Sequence, residues 1–186
     1  ILNQALLVID AQQELMDGGV EQQGVFAKDQ VIQNINRVIA KAVDENVHII
    51  FIRDTDVANG EGSGFQIHKG INVPSKAVIF DKAATNSFYR TPLLDYLNVH
   101  EIEHLVIMGC KTEHCVDTAV RTATVNRFDV TLIGDGHSSV DSDVLSAEQI
   151  IYHHNAILHG HYNVDNFSIV RNADENVFKP THDSYR

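Results

Sequence analysis

The sequence predicts an α/β protein in which a parallel sheet carries helices on both faces. Short, continuous apolar runs are typical of strands that are covered on both sides, and several occur along the chain. They alternate with longer segments in which apolar residues recur at helical spacing. At 186 residues the chain has the length of one such domain, and we expect residues 1–186 to form it.

Six apolar runs predict the strands, namely residues 5–10, 47–52, 77–81, 105–108, 129–133 and 167–170. Helical periodicity and capping signals predict four helices. One covers residues 28–45 and one runs from Thr91 to Leu97. A third begins after Thr112 as its N-cap, and the fourth begins at the capping box of Ser146 and Gln149. Residues 55–75 are polar and contain GEGSG, which predicts a long loop. Loops of this length in compact domains are usually functional or mobile.

Composition argues against several classes of partner. The formal net charge is −11 and no Lys/Arg cluster is present, so we expect neither nucleic acid nor an anionic membrane surface to bind. No apolar run approaches the 18 or so residues of a membrane span. The two cysteines, Cys110 and Cys115, are too few for a disulfide framework or a zinc ribbon, and free thiols suit a reducing cytoplasm.

Three chemically capable residues follow three different predicted strands, and these are Asp10, Lys82 and Cys115. In a parallel sheet the ligand crevice lies beyond the carboxyl ends of the strands, which predicts that the three side chains meet there. Taken singly, each has an ordinary interpretation: a loop cap, a solvated surface charge and a small buried apolar residue. Cys115 would lie in the first turn of a helix, where the helix dipole should lower the pKa of its thiol.

Five segments in this order resemble the isochorismatase-like cysteine hydrolase family: ALLVIDAQ, GSGFQIH, DKAATNSFYRTPL, GCKTEHCVDTAVRTA and DGHSSVDSDVLSAEQIIYHHN. Together they cover nearly the whole chain. The resemblance implies a three-layer α-β-α fold with a six-stranded parallel sheet in the order 3-2-1-4-5-6. It also implies a catalytic triad of Asp10, Lys82 and Cys115, a cis peptide bond between Cys110 and Lys111, and an oxyanion hole made by the backbone N–H groups of Lys111 and Cys115. We expect no cofactor. Family members are commonly dimers or tetramers, so the resemblance implies a homodimer or homotetramer.

The chemistry of these residues suits hydrolysis of a C–N bond in a small molecule. A cysteine can attack an amide carbonyl, an aspartate can move the proton, and two N–H groups can bind the oxyanion. True isochorismatases, as the family is known, lack this cysteine, so an amide, lactam or ureide is the expected substrate. The last segment resembles streptothricin-hydrolase-like enzymes, which open a lactam. Residues that flank the matched motifs are candidates to line the substrate pocket: Gln12, Phe65, His68, Phe88 and His114.

Two alternatives remain open at the level of sequence. Nicotinamidases resemble this chain and bind a metal through an Asp-x-His motif, where this chain has Asp54, Thr55 and Asp56. With His68, the two aspartates form a weak candidate metal site, and we expect no metal. The other alternative is a non-catalytic, small-molecule-binding or redox-responsive α/β domain. Retention of the whole Asp, Lys and Cys set argues against that alternative.

Overall fold

The computed structural model describes residues 2–163 and 165–186, and a parallel sheet runs through its centre. The strands are β1 (Gln4–Ile9), β2 (His48–Asp54), β3 (Val78–Lys82), β4 (His104–Cys110), β5 (Asp129–Ser138), β6 (Tyr162–Asn163) and β7 (Asn166–Arg171). Their order is β3-β2-β1-β4-β5-β7-β6. The six predicted strands are confirmed as parallel and in the predicted order. The seventh strand, β6, is a two-residue addition that pairs antiparallel with β7.

Helices cover both faces of this sheet, as predicted. They are α1 (Gln13–Asp17), α2 (Lys28–Asp44), α3 (Gly62–Phe65), α4 (Leu93–Val99), α5 (Asp117–Val125) and α6 (Ala147–Leu158). The apolar stripe of α2 packs in one buried cluster, whereas α4, α5 and the end of α6 pack in the cluster on the opposite face. The Ser146 hydroxyl caps α6 and Gln149 completes the predicted capping box.

Strand β1 shows why the strand runs are continuously apolar. Leu6 and Val8 point into the cluster under α2, whereas Ala5, Leu7 and Ile9 point into the cluster under α4 and α5. Successive side chains of a strand point to opposite faces, so a strand covered on both sides needs apolar residues at every position. All five are fully buried.

The structure corrects the predicted end of one strand and the predicted loop over residues 55–75. Strand β5 continues past residue 133, through Gly134 and Gly136, to Ser138, with a register shift against β4 between Ile107 and Gly109. Residues 55–75 are not one irregular loop, because they contain a 3-10 turn (Val57–Gly60) and α3. The segment is also tied to the start of the chain, where His68 N–H donates to the Ala11 carbonyl at 2.8 Å.

Strands β1 and β4 approach each other closely where they end. Gly109 has φ +127°, and a Cβ atom on it would stand 2.0 Å from the Ile9 carbonyl oxygen. Only glycine fits there without moving the backbone. The residues that follow, Asp10 and Cys110, are therefore held side by side. No helix in the described part of the chain is long and apolar enough to cross a membrane.

Candidate active site

Three polar side chains meet at the carboxyl edge of the sheet. Asp10 follows β1, Lys82 is the last residue of β3, and Cys115 lies in the turn after β4. Lys82 Nζ is 3.0 Å from Asp10 Oδ2 and 3.3 Å from Cys115 Sγ. All three residues are buried. The structure thus brings together the three residues that the sequence singled out.

Asp54 is a fourth member of this cluster, and the sequence did not predict it in that place. Its Oδ2 atom lies 2.5 Å from Lys82 Nζ. The reason is strand register, because Asp54 and Lys82 are direct partners in the pairing of β2 with β3. Lys82 therefore neutralises two carboxylates, one from β2 and one from the end of β1.

The backbone of Asp10 turns sharply at the end of β1. Its φ is +49°, in the left-handed region that aspartate tolerates better than most residues. Its N–H donates to the Ile52 carbonyl oxygen at 2.9 Å, which anchors the turn to β2. Its Oδ1 atom is buried and has no hydrogen-bond partner among residues 2–163 and 165–186. This buried oxygen is thus an acceptor that a proton can satisfy.

Burial controls the electrostatics of the cluster. It raises the pKa of Asp10 from 3.8 to about 6, against the opposing effect of the nearby Lys82 ammonium. Burial alone would lower the pKa of Lys82, but the Asp10 carboxylate, with Cys115 and Asp54, outweighs it and raises that pKa above its ordinary value. At neutral pH the cluster therefore contains an ammonium group and an Asp10 that titrates just below neutrality.

The expected lowering of the Cys115 pKa is wrong. Burial raises the pKa of this thiol to about 12, and the adjacent Asp10 carboxylate adds to the effect, while Lys82 opposes it. The local helix also differs from the prediction, since Cys115 lies in a π-helical turn (Thr112–Val116) that precedes α5. The thiol is protonated at rest, so it needs a base to become a nucleophile.

The turn that carries Cys115 is held from below by a buried chain of hydrogen bonds. Thr112 Oγ1 lies 2.8 Å from His137 Nδ1, and His137 Nε2 lies 2.8 Å from Asn155 Oδ1. Because Asn155 Nδ2 donates to the Gly134 carbonyl, its Oδ1 accepts from His137, which leaves His137 Nδ1 to accept from Thr112. Thr112 is therefore not the predicted N-cap, because its hydroxyl is committed to His137. The peptide bond between Cys110 and Lys111 is cis, as the resemblance implied.

A cavity of about 300 Å³ opens beside Cys115. Of the predicted pocket residues only His114 lines it, with a side chain that is 63% exposed. Lys111, the predicted oxyanion-hole residue, lines it as well. The sequence missed most of the remaining lining residues, which come from α1, from the segment after it, from the 55–60 region and from the loop after β3: Glu14, Leu15, Gln22, Asp56, Val57, Ala58 and Thr85.

The other four predicted pocket residues do not line this cavity. Gln12 is fully buried, where its amide donates to the carbonyl oxygens of Asp54 and Phe65 and accepts from the Asp54 N–H. The Phe65 ring packs under the Arg53 guanidinium, 4.3 Å from the ring centroid. Phe88 packs against the core cluster below α4. These residues support the walls of the site and do not face its interior. Their positions beside the matched sequence motifs could not show whether they support the cavity or line it.

His68, the fourth, is committed to hydrogen bonds elsewhere. The Gly70 N–H donates to His68 Nδ1 at 3.0 Å, so Nε2 carries the proton and donates to Asp17 Oδ1, also at 3.0 Å. Neither ring nitrogen is directed to Asp54 or Asp56. The predicted weak metal set of two aspartates and His68 is therefore not assembled.

The cluster itself does not fit a metal ion. Within the described residues, only Asp10, Asp54 and Cys115 bring three ligand atoms within 4.8 Å of one another. The Lys82 ammonium lies within 3.3 Å of an atom of each of them, so a positive charge already stands where a cation would bind. A protonated amine and a metal ion cannot share this place.

The fold and the position of the site define a doubly wound α/β protein whose polar cluster lies at the carboxyl edge of the sheet. A family model described as the isochorismatase domain matches residues 4–150, so the chain belongs to the isochorismatase family. It is 28% identical over 136 residues to the uncharacterized isochorismatase family protein YrdC of Bacillus subtilis (strain 168), which covers 70% of this chain and 71% of that protein.

Two further similarities extend this result. Over 76 residues the chain is 37% identical to the nicotinamidase of Escherichia coli (strain K12), which covers 40% of this chain and 34% of that enzyme. A crystal structure of an isochorismatase family protein superimposes with a TM-score of 0.80 at 29% identity, over 91% of this chain and 98% of that chain. The family resemblance seen in the five sequence segments is thereby confirmed.

Proposed function

We propose that the protein is a cysteine-dependent amidohydrolase that cleaves a C–N bond of a small amide, lactam or ureide through a covalent thioester. The observation that carries the proposal is that Asp10 and Cys115 both contact the Lys82 ammonium nitrogen beside an open cavity. Membership of the isochorismatase family and similarity to a nicotinamidase support this proposal. The substrate itself is part of the proposal.

In the proposed reaction Cys115 Sγ attacks the carbonyl carbon as its proton passes to Asp10. A thiol with a raised pKa does not ionise on its own at neutral pH, so the carboxylate acts as general base in the attacking step. The oxyanion is bound by the backbone N–H groups of Lys111 and Cys115. Lys82 balances the negative charge that develops on sulfur.

In the second half of the reaction Asp10 first acts as an acid and then again as a base. Asp10 gives its proton to the leaving nitrogen, the C–N bond breaks, and an acyl group remains on Cys115 as a thioester. Asp10, again ionised, takes a proton from water as the water oxygen attacks the thioester carbonyl. The C–S bond breaks, the carboxylic acid leaves, and the thiol regains its proton. A pKa of about 6 suits Asp10 to both directions of transfer near neutral pH.

A panel of primary amides, lactams and ureides tests the proposal, with release of ammonia, amine or acid as the readout. We expect Cys115→Ala to abolish turnover of every compound that the wild type hydrolyses, and Cys110→Ala to retain it. Mass spectrometry should find the acyl group on the tryptic peptide of residues 112–121, which separates Cys115 from Cys110 because cleavage follows Lys111. Turnover by Cys115→Ala would contradict the covalent mechanism.

Nicotinamidase is the second candidate, because of the similarity to the Escherichia coli enzyme. Nicotinamide therefore belongs in the panel, with and without a chelator. Ammonia release that falls with chelator would favour a metal-assisted nicotinamidase. Release that is unchanged by chelator and lost in Cys115→Ala would favour the metal-independent reaction proposed above, with nicotinamide among its substrates.

A further inference from the structure

The lining of the cavity beside Cys115 is strongly acidic. Four carboxylates line it, whereas Lys111 is the single lysine or arginine among its lining residues. Lys82 lies beneath, and its one positive charge is shared by two of the four, Asp10 and Asp54. The two remaining carboxylates belong to Glu14 and Asp56.

Glu14 and Asp56 lie at the solvent end of the cavity, since both are exposed whereas Asp10 and Cys115 are buried. Neither forms a salt bridge within residues 2–163 and 165–186. Glu14 belongs to α1, and its Oε2 atom lies 2.7 Å from where a Cβ on Gly64 would stand. The absence of a side chain at Gly64 thus leaves room for this carboxylate against α3.

A second observation points to a ligand in the same cavity. Asp10 lines the cavity floor, is almost completely buried, and has one carboxylate oxygen, Oδ1, without a hydrogen-bond partner in the described chain. A buried acceptor left without a donor costs about 1–3 kcal/mol, which a bound donor recovers. An unsatisfied acceptor thus lies buried beside the cavity, next to Cys115, and two carboxylates without a salt-bridge partner in the described chain lie at its mouth.

We propose that the substrate of this site carries a cationic group of the ammonium or amidinium class, which binds against Glu14 and Asp56 while the scissile bond lies at Cys115. This inference rests on the proposed amidohydrolase function and names its substrate class. Carboxylates that line a concave, partly desolvated cavity concentrate cations and repel anions. An anionic amide would have to pass both unpaired carboxylates to reach the thiol.

Charge-selective modification of Cys115 tests the inference without knowledge of the substrate. The probes are two methanethiosulfonates of similar size, one bearing a trimethylammonium group and the other a sulfonate. The folded protein is treated with each reagent and then digested, and mass spectrometry of peptide 112–121 gives the rate of modification at Cys115. Each rate is divided by the rate at which the same reagent modifies 2-mercaptoethanol. Unreduced tryptic digestion places Cys110 in a separate peptide, residues 91–111.

We expect the normalised cation-to-anion ratio to exceed about 10 at low salt and to fall toward 1 at 1 M salt, where the screening length is about 3 Å. Glu14→Gln and Asp56→Asn should each lower the ratio by about five-fold, from a unit charge within several ångströms of the reagent. Asp44→Asn is the matched control. It removes an exposed carboxylate at the end of α2, just before β2 begins, on the opposite edge of the sheet, and should leave the ratio unchanged.

A wild-type ratio at or below 1 would overturn the inference, as would a ratio that Glu14→Gln and Asp56→Asn alter no more than Asp44→Asn does. Both substitutions are isosteric and exposed, so folding is not at risk, and the wild-type ratio stands without them. The measurement follows thiol modification and not turnover. Its failure is therefore distinct from failure of the proposed hydrolysis, which the Cys115→Ala comparison reports.

Discussion

Replacing Asp10 with asparagine should change how the stability of the fold depends on pH. Burial raises the pKa of Asp10 from 3.8 to about 6 in the folded protein. A carboxyl group with a higher pKa in the folded than in the unfolded state binds its proton more tightly when folded. Its stabilising contribution is complete below pH 3.8 and is lost as the pH rises through 6.

The size of the effect follows from the shift. About two pKa units correspond to about 3 kcal/mol of unfolding free energy, which wild type should lose relative to Asp10→Asn between pH 4 and pH 7.5. In wild type Lys82 stays charged and the Cys115 thiol stays protonated over this range, because both pKa values are raised. In Asp10→Asn the Asp54 carboxylate still pairs with Lys82 Nζ, and the pH dependence of the stability difference, not its absolute size, reports the Asp10 pKa.

Urea unfolding followed by circular dichroism at several pH values measures this difference. Asp44→Asn, which removes an exposed carboxylate, controls for the change in net charge. We expect the Asp10→Asn and wild-type stabilities to converge or cross as the pH falls, with Asp10→Asn gaining relative stability toward neutrality. Parallel pH profiles for the two proteins would refute the assignment of a raised Asp10 pKa.

Three further outcomes are expected. Cys115→Ala should lose turnover at least about 1,000-fold with little change in stability, whereas Cys110→Ala, at a fully buried position, should keep turnover and lose about 1–2 kcal/mol in the same urea titrations. The kcat/KM profile should fall below about pH 6, as protonation of Asp10 removes the base, and Asp10→Asn should lack turnover across the whole profile. Thr112→Val should lower the unfolding free energy by about 1–3 kcal/mol, because it leaves His137 Nδ1 buried without a donor, and Thr112→Ser should restore most of it; equal losses in both would contradict a stabilising hydrogen bond between this pair.

Much of the fold could be predicted from sequence because its strands are covered on both faces. Burial of both faces makes the strand runs continuously apolar, and the helices between them have a clear periodicity. The end of β5 was mispredicted because Gly134 and Gly136 are ordinary turn signals. Here both glycines sit where a Cβ would stand less than 3 Å from a neighbouring side chain, so close packing and not a turn accounts for them.

The composition of the site was predictable, but its electrostatics were not. Parallel topology brings residues at strand ends to one edge, which was enough to group Asp10, Lys82 and Cys115. The place of Asp54 depends on the register of β2 against β3, a non-local fact that no run of residues encodes. The thiol pKa was predicted in the wrong direction because position on a helix is local, whereas burial and the neighbouring carboxylate are tertiary.

Lys82 belongs to β3, the edge strand of the sheet, which pairs on one side only, with β2. Elements with few buried side chains and exposed backbone hydrogen bonds open most readily in native-state fluctuations, and most residues of β3 are only partly buried or exposed. Each such opening would withdraw the ammonium and leave two buried carboxylates without a counter-charge, while the central strands remain paired. If Lys82 acts as proposed, local opening of β3 would interrupt the reaction, and we expect activity to decay in denaturant before the sheet as a whole unfolds.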